Sequence, residues 1–139
     1  MKVRNSEIYN SIEPFKRLIA LKLPGKVSYE LAKLINSIDT EYDIIEKVKN
    51  GLIVKFGEKL EDGNMQVKPT IKAKDENGKE VERQNENWLL FMAEFGEVLS
   101  QETELPLKKK IAIPETVNDK KLEIETEILL PLMSFIEIV

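Results

Sequence analysis

The sequence predicts an α+β fold: an N-terminal antiparallel helical hairpin, a third helix, and a small antiparallel sheet or hairpins. Three observations carry that prediction. Apolar residues recur at spacings of three and four through most of the first 57 residues, the mark of helices with one buried stripe. Between Met65 and Lys74 the period changes to two. Helical spacing then returns at Trp88. The 139 residues are about one domain's worth, and a hydrophobic share of 42% suffices for a core. We therefore expect a single domain over 1–139, with the helical hairpin in 6–57 and mixed helix and short strands in 58–139.

The first helix is read over 6–23. Ile8, Ile12, Phe15, Leu18 and Ile19 form its stripe, and Ser6 or Asn5 is the candidate N-cap. Pro14 lacks a donor and conflicts with an uninterrupted helix. Either the helix kinks there, or it begins at Ser11 and Pro14 lies in its first turn. Leu23-Pro24-Gly25 breaks the chain. The second helix is read over 28–56, with Ser28 as N-cap and Glu30 suited to the positive end of the helix dipole. Its stripe runs Leu31, Leu34, Ile35, Ile38, Tyr42, Ile45, Val48, Leu52 and Phe56. Asn50-Gly51 is a possible stop, but Leu52 and Phe56 continue the stripe, so the helix is carried on to Gly57 at a cost of about 1 kcal/mol for Gly51. A short Leu-Pro-Gly-Lys turn between two such helices favours antiparallel packing.

Glu61-Asp62-Gly63-Asn64 reads as a turn. Val67, Pro69, Ile71 and Ala73 then share one parity, and Lys68, Thr70, Lys72 and Lys74 the other. Asn77-Gly78 signals a hairpin reversal, and Pro69 confines the segment to an edge or a loop. The third helix starts at Asn85 or Asn87, with Trp88, Met92, Phe95 and Leu99 inward, supported by Leu89 and Val98. Leu105–Ile113 and Leu122–Glu125 read as short strands. Thr126 is a possible cap for a last helix, but Pro131 fits better as the first residue of one covering Leu132–Ile138.

Composition narrows the chemistry. Cysteine and histidine are both absent. That removes disulfides, thiolate nucleophiles, Cys-based zinc sites and the commonest acid–base side chain near pH 7. Any catalysis would rest on carboxylates, Lys, Tyr or Ser. No apolar stretch approaches the ~20 residues of a spanning helix, and Lys2 and Arg4 lead into polar residues rather than a signal-peptide core. A soluble cytoplasmic protein without a membrane partner is expected. Net charge is −4, unevenly spread: residues 1–60 carry 11 Lys/Arg against 8 Asp/Glu, and residues 61–139 carry 10 against 17.

Three charged constellations bear on function. Asp39, Asp43 and Glu46 share one helical face and suit a divalent cation on paper, as in carboxylate-dependent hydrolases acting on nucleotides. Lys47 and Lys49 stand at ion-pairing spacing, and the facing helix offers only the isolated Glu7 and Glu13, so the set reads as a solvated face. Glu123, Glu125 and Glu127 alternate with Ile124 and Thr126 as the outer face of a strand, with nothing basic paired to them. Lys108-Lys109-Lys110 and the set Arg4, Lys16, Arg17, Lys22, Lys26 and Lys33 are the basic features. Nucleic acid is a disfavoured partner, because nearby aromatics fall on apolar stripes and the pI is near 5.1. No phosphate loop is present, and among the glycines only Gly96 hints at close packing. No catalytic, cofactor-binding or metal residue is assigned, no cofactor is expected, and the binding residues are left open.

Asn-Ser-Glu-Ile-Tyr-Asn (5–10) and Lys-Leu-Pro-Gly-Lys-Val-Ser-Tyr-Glu-Leu-Ala-Lys (22–33) resemble a family of small uncharacterised proteins encoded by tailed phages and prophages of Gram-positive bacteria. Lys-Phe-Gly-Glu-Lys (55–59) and Leu-Met-Ser-Phe-Ile-Glu (132–137) fit the same family loosely, while Pro14 departs from its uninterrupted first helix. The resemblance implies a gene product acting in the bacterial host cytoplasm or built into a virion. It brings no activity and no functional residue. The expectation is a non-enzymatic phage accessory protein working by protein–protein interaction, as an assembly factor or minor structural component, with a protein partner or with itself. An inhibitor of a host defence system and a carboxylate-dependent metal hydrolase are the alternatives.

Overall fold

Val3 between Lys2 and Arg4 gives the chain an alternating start, and the structure, a computed structural model describing residues 1–139, makes it a strand. In chain order the elements are β1 (Lys2–Arg4), α1 (Asn5–Tyr9), α2 (Ile12–Ile19), α3 (Gly25–Phe56), β2 (Glu58–Lys59), β3 (Met65–Gln66), β4 (Thr70–Lys74) and β5 (Glu80–Gln84). Then follow α4 (Glu86–Ser100), β6 (Glu102–Glu104), β7 (Ile111–Ile113), β8 (Thr116–Val117), β9 (Lys120–Lys121), α5 (Thr126–Leu132) and β10 (Ile136–Ile138). Five helices hold 48% of the residues and the strands form two-stranded pairs, which is the α+β class the sequence predicts. Two compact units result, one combining Met1–Ile44 with Leu99–Val139 and the other Ile45–Val98. The divisions fall within α3 and α4 rather than after Gly57.

In the first unit, the helix read over 6–23 is two helices. Ser11 is fully buried, its N–H and Oγ both donate to the Ile8 carbonyl, and its own carbonyl accepts from Phe15 N–H at 2.9 Å. One residue thus closes α1 and opens α2, and Pro14 sits in the first turn of α2, where its missing donor costs nothing. Neither Ser6 nor Asn5 caps α1. The Glu7 carboxylate accepts from Arg4 N–H at 2.9 Å, and buried Asn5 accepts from the Thr103 hydroxyl. α3 begins at Gly25 rather than Ser28, because Ser28 N–H donates to the Pro24 carbonyl at 3.0 Å. It then runs unbroken through Gly51 to Phe56, as its stripe predicts.

Tyr9 of α1 stacks on Tyr42 of α3 with ring centroids 5.5 Å apart, and α2 packs against α5. Phe15 and Phe135 meet at 5.5 Å in a core completed by the fully buried Ile8, Leu18, Leu31, Ile38, Ile113 and Leu132. β1 pairs antiparallel with β6, Val3 opposite Thr103. β7 and β10 pair in parallel, Ile136 opposite Ile111, so not every strand pair is antiparallel.

Three strand or helix assignments in 105–138 are corrected. Within Leu105–Ile113 only Ile111–Ile113 is strand, and Leu122–Glu125 has no strand partner. The last helix is Thr126–Leu132, with Ile136–Ile138 a strand instead of helix. The Glu125 carbonyl accepts from Ile128 and Leu129 N–H, which starts the helix before Pro131. Pro131 falls in the final turn, and the ladder with β7 claims the following residues. Two of the three acids, Glu125 and Glu127, are paired after all. Arg17 bridges Glu125 and, at 3.5 Å, Glu127, so that basic partner comes from α2 rather than from the neighbouring sequence. An unanticipated β8–β9 hairpin turns on Asn118 and Asp119, at φ 53° and 64°, residue types that tolerate the left-handed region.

In the second unit, β4 and β5 pair from Thr70 opposite Gln84 to Lys74 opposite Glu80. Gly78 turns at φ 76°, and the Asp75 carboxylate accepts from the N–H groups of Asn77 and Lys79, so the Asn-Gly signal holds. The residues that share a parity do not form one buried face: Val67 is buried, but Ile71 is 46% exposed. Pro69 lies between β3 and β4, outside both ladders. The Asn85 side-chain oxygen accepts from Asn87 N–H at 3.1 Å and starts α4. A Cβ on Gly57 would collide with the Ile53 carbonyl oxygen and stand 2.8 Å from that of Gln66, so β3 crosses where only glycine fits.

Two pairs of variants check this architecture by urea denaturation. Ile38→Asp buries an unpaired charge and is expected to cost more than about 4 kcal/mol, while Asp39→Ala, on the solvated side, stays within about 0.5 kcal/mol. Gly51→Ala, which meets nothing within 4 Å, is expected to stabilise by about 1 kcal/mol. Gly57→Ala meets backbone and is expected to destabilise by about 1–3 kcal/mol. Equal effects at the two glycines would contradict the close crossing of β3.

Candidate functional site

The helical carboxylates Asp39, Asp43 and Glu46 are the metal candidates that the sequence offers. Asp39 and Asp43 are exposed and Glu46 half-buried, and no group of three or more carboxylates is gathered closely enough to hold a metal ion. No helix is long and apolar enough to cross a membrane.

The basic residues are brought together instead. A cleft of about 350 Å³ opens in the first unit between α3, which supplies Lys33, Leu34 and Ser37, and the segment Pro106–Ile111. Lys33 stands on one wall and Lys108, Lys109 and Lys110 on the other, with Glu30 the only acid at the rim. Leu34 and Ile111, each 4% exposed, give the cleft an apolar base. None of the four lysines has a carboxylate within ion-pairing distance. The lysine segment is pinned at both ends. Leu105, buried, donates its N–H to the Met1 carbonyl at 2.8 Å, and Ile111 donates to the Phe135 carbonyl at 2.9 Å. Lys110 also borders a second, more open depression of about 480 Å³, which adds Lys2 and the exposed Met133. Its one acid, Glu7, is already engaged by Arg4 N–H and the Ser134 hydroxyl.

A second surface lies on α4 in the other unit. Phe91 and Phe95 are its buried residues, with rings 5.8 Å apart, and Trp88 adjoins Phe91 at 5.9 Å. The Lys49 ammonium lies over the Phe95 ring, and Lys55 pairs with Glu94 at 3.2 Å. The opposite side of the helix is also apolar. Leu89 is 47% and Met92 49% exposed, Ala93 and Gly96 are exposed on the same face, and Leu90 flanks it at 52%. Met92 and Leu89 are therefore not part of the inner stripe, contrary to the sequence reading, and a Cβ on Gly96 would meet no neighbouring element within 4 Å, so the hint of close packing there is not borne out.

The sequence displays both surfaces only in fragments. Lys33 and Lys108–Lys110 stand out as charges, but nothing local says that the loop folds onto α3. Periodicity locates an inner face only when the outer face is polar, and α4 is apolar on both. Comparison with known protein families, curated proteins and solved structures returns no match for this chain.

Proposed function

We propose that this protein acts by binding another protein and catalyses no reaction. The outer face of α4 carries the proposal. Leu89, Leu90 and Met92 stand about half exposed on one 15-residue helix, and such clustered apolar exposure on a surface helix marks an interaction site. Covering the face would remove apolar area from water at about 25 cal/mol per Å². The resemblance of residues 5–10 and 22–33 to phage-encoded proteins supports a setting in the bacterial host cytoplasm, or in a virion assembled there, with the role of assembly factor or minor structural component. The chain offers no His or Cys for acid–base or nucleophilic work, which favours a binding role.

The test separates folding from binding. Leu89→Asp with Met92→Asp changes exposed positions and is expected to keep the far-UV spectrum and shift stability by no more than about 1 kcal/mol. A photo-crosslinker at Met92 in bacterial cells expressing the protein is expected to yield one discrete adduct, identified by mass spectrometry. The same crosslinker at Lys47 is expected to yield none, and the double variant loses the partner in affinity capture. No adduct at Met92, or one unaffected by the aspartates, overturns the α4 reading. Purified protein with magnesium or manganese is expected to leave nucleotides and nucleic acids intact, and turnover abolished by Asp43→Ala would replace a binding function with a hydrolytic one.

A further inference from the structure

From the lysine-lined cleft we infer a docking site for an acidic, leucine-bearing segment of a partner protein. The inference rests on the reading of this chain as a protein-binding protein, and it names the chemistry of one partner at a surface other than α4.

Charge is the first argument. Lys33, Lys108, Lys109 and Lys110 converge on one cleft without ion pairs of their own, and Lys2 continues the run into the adjoining depression through the shared Lys110. Four ammonium groups without ion pairs, against the single acid Glu30, repel one another, and a ligand carboxylate relieves that repulsion as it binds. Shape and polarity are the second argument. Two depressions that share Lys110 in their linings suit an extended chain better than a compact ion. Buried Leu34 and Ile111 under the first, with Met133, 57% exposed, beside the second, offer apolar contact between the charges. A ligand matching both features alternates carboxylates with aliphatic side chains, so that acids meet the lysine rim while an aliphatic group enters a cleft large enough for one or two such chains. Pre-organisation is the third. Backbone hydrogen bonds at Leu105 and Ile111 hold both ends of the lysine segment, so less backbone ordering entropy remains to be lost on binding.

A nucleic acid fits the same site less well. Sequence-tolerant binding of single strands uses free aromatic faces as stacking platforms. Tyr29 is the one aromatic among the exposed large side chains, and the Lys33 ammonium already lies 5.5 Å from its ring centroid. A polyphosphate also gains nothing from an apolar floor.

Fluorescence anisotropy with the full chain tests the assignment. The probe is a fluorescein-labelled peptide of Asp-Glu-Leu repeats, compared with labelled octaglutamate and a labelled short oligothymidylate. We expect saturable binding of the Asp-Glu-Leu peptide with a Kd on the order of 10 μM, weakened at higher salt, and at least about tenfold weaker binding of octaglutamate and of oligothymidylate. Lys33→Glu with Lys109→Glu is expected to weaken the peptide at least about tenfold without altering the melting temperature, since Lys33 and Lys109 are exposed. Lys47→Glu with Lys59→Glu, the same charge change elsewhere, is expected to leave binding within about twofold of the parent. No saturable binding, equal binding of octaglutamate, tighter binding of oligothymidylate, or equal loss in the two charge-reversed variants overturns the assignment. If any of these occurs while the Met92 crosslink persists, the cleft is wrong and the protein-binding reading stands. If the crosslink is absent as well, both fail.

Discussion

The first unit depends on the contact between Phe15 and Phe135. Both rings are essentially excluded from water, with centroids 5.5 Å apart. They come from the early and late parts of the chain, and two other clasps join the same distant parts: β1 with β6, and Arg17 with Glu125 and Glu127, while β7 and β10 join two late segments. Aromatic pairs of this kind add about 0.5–1.5 kcal/mol beyond area burial, whereas the exposed Arg17 bridges are each worth under about 1 kcal/mol. Packing therefore closes the unit, and the ion pairs help to select its register. Ile45–Val98 lies between the two halves as one long loop in the covalent sense. Closure entropy grows only slowly with loop length, by about 0.6 kcal/mol per doubling, so a segment of this size is tolerated there. Its hairpins, β2–β3 and β4–β5, are local in sequence.

This division explains what the sequence made legible. Several features decided within a few residues are read correctly: α3 running through Gly51, the Asn77-Gly78 reversal, and Asn85 as one of the two starts offered for α4. Features decided by distant partners are not. Val3 becomes a strand residue because Thr103 lies opposite it, and Ile136 and Ile138 become strand because Ile111 and Ile113 offer a ladder. A sequence window containing Pro131 and then Leu132–Ile138 satisfies a helix with Pro at its start equally well. Ser11 shows a finer limit. Its hydroxyl returns to the Ile8 carbonyl and is fully buried, so it breaks a helix that apolar spacing alone would join.

The two candidate surfaces were illegible for opposite reasons. α4 carries too much apolar signal: Leu89 and Met92 lie at helical spacing from each other and from Ala93 and Gly96, just as Phe91 and Phe95 lie on the inward side. Only burial separates the two faces. The lysine cleft carries too little, because Lys33 and Lys108–Lys110 are far apart in sequence and become one feature only after the chain closes. Its existence is thus a consequence of the same long-range contacts that close the first unit.

That dependence ties the cleft to the core physically. The Phe135 carbonyl, beside the ring that packs on Phe15, accepts the N–H of Ile111, the residue at the end of the lysine segment. The side chain of Ile111 in turn forms part of the cleft's apolar base. At the other end, Leu105 is held by burial and by the Met1 carbonyl. Between these two anchors the lysines are exposed and without ion pairs, so the core sets the path of the backbone while the charges stay open to solvent. A loop built this way keeps its cations close together despite their repulsion, because the energy that holds it comes from residues that carry no charge. The unrelieved charge is then available to whatever anion enters the cleft.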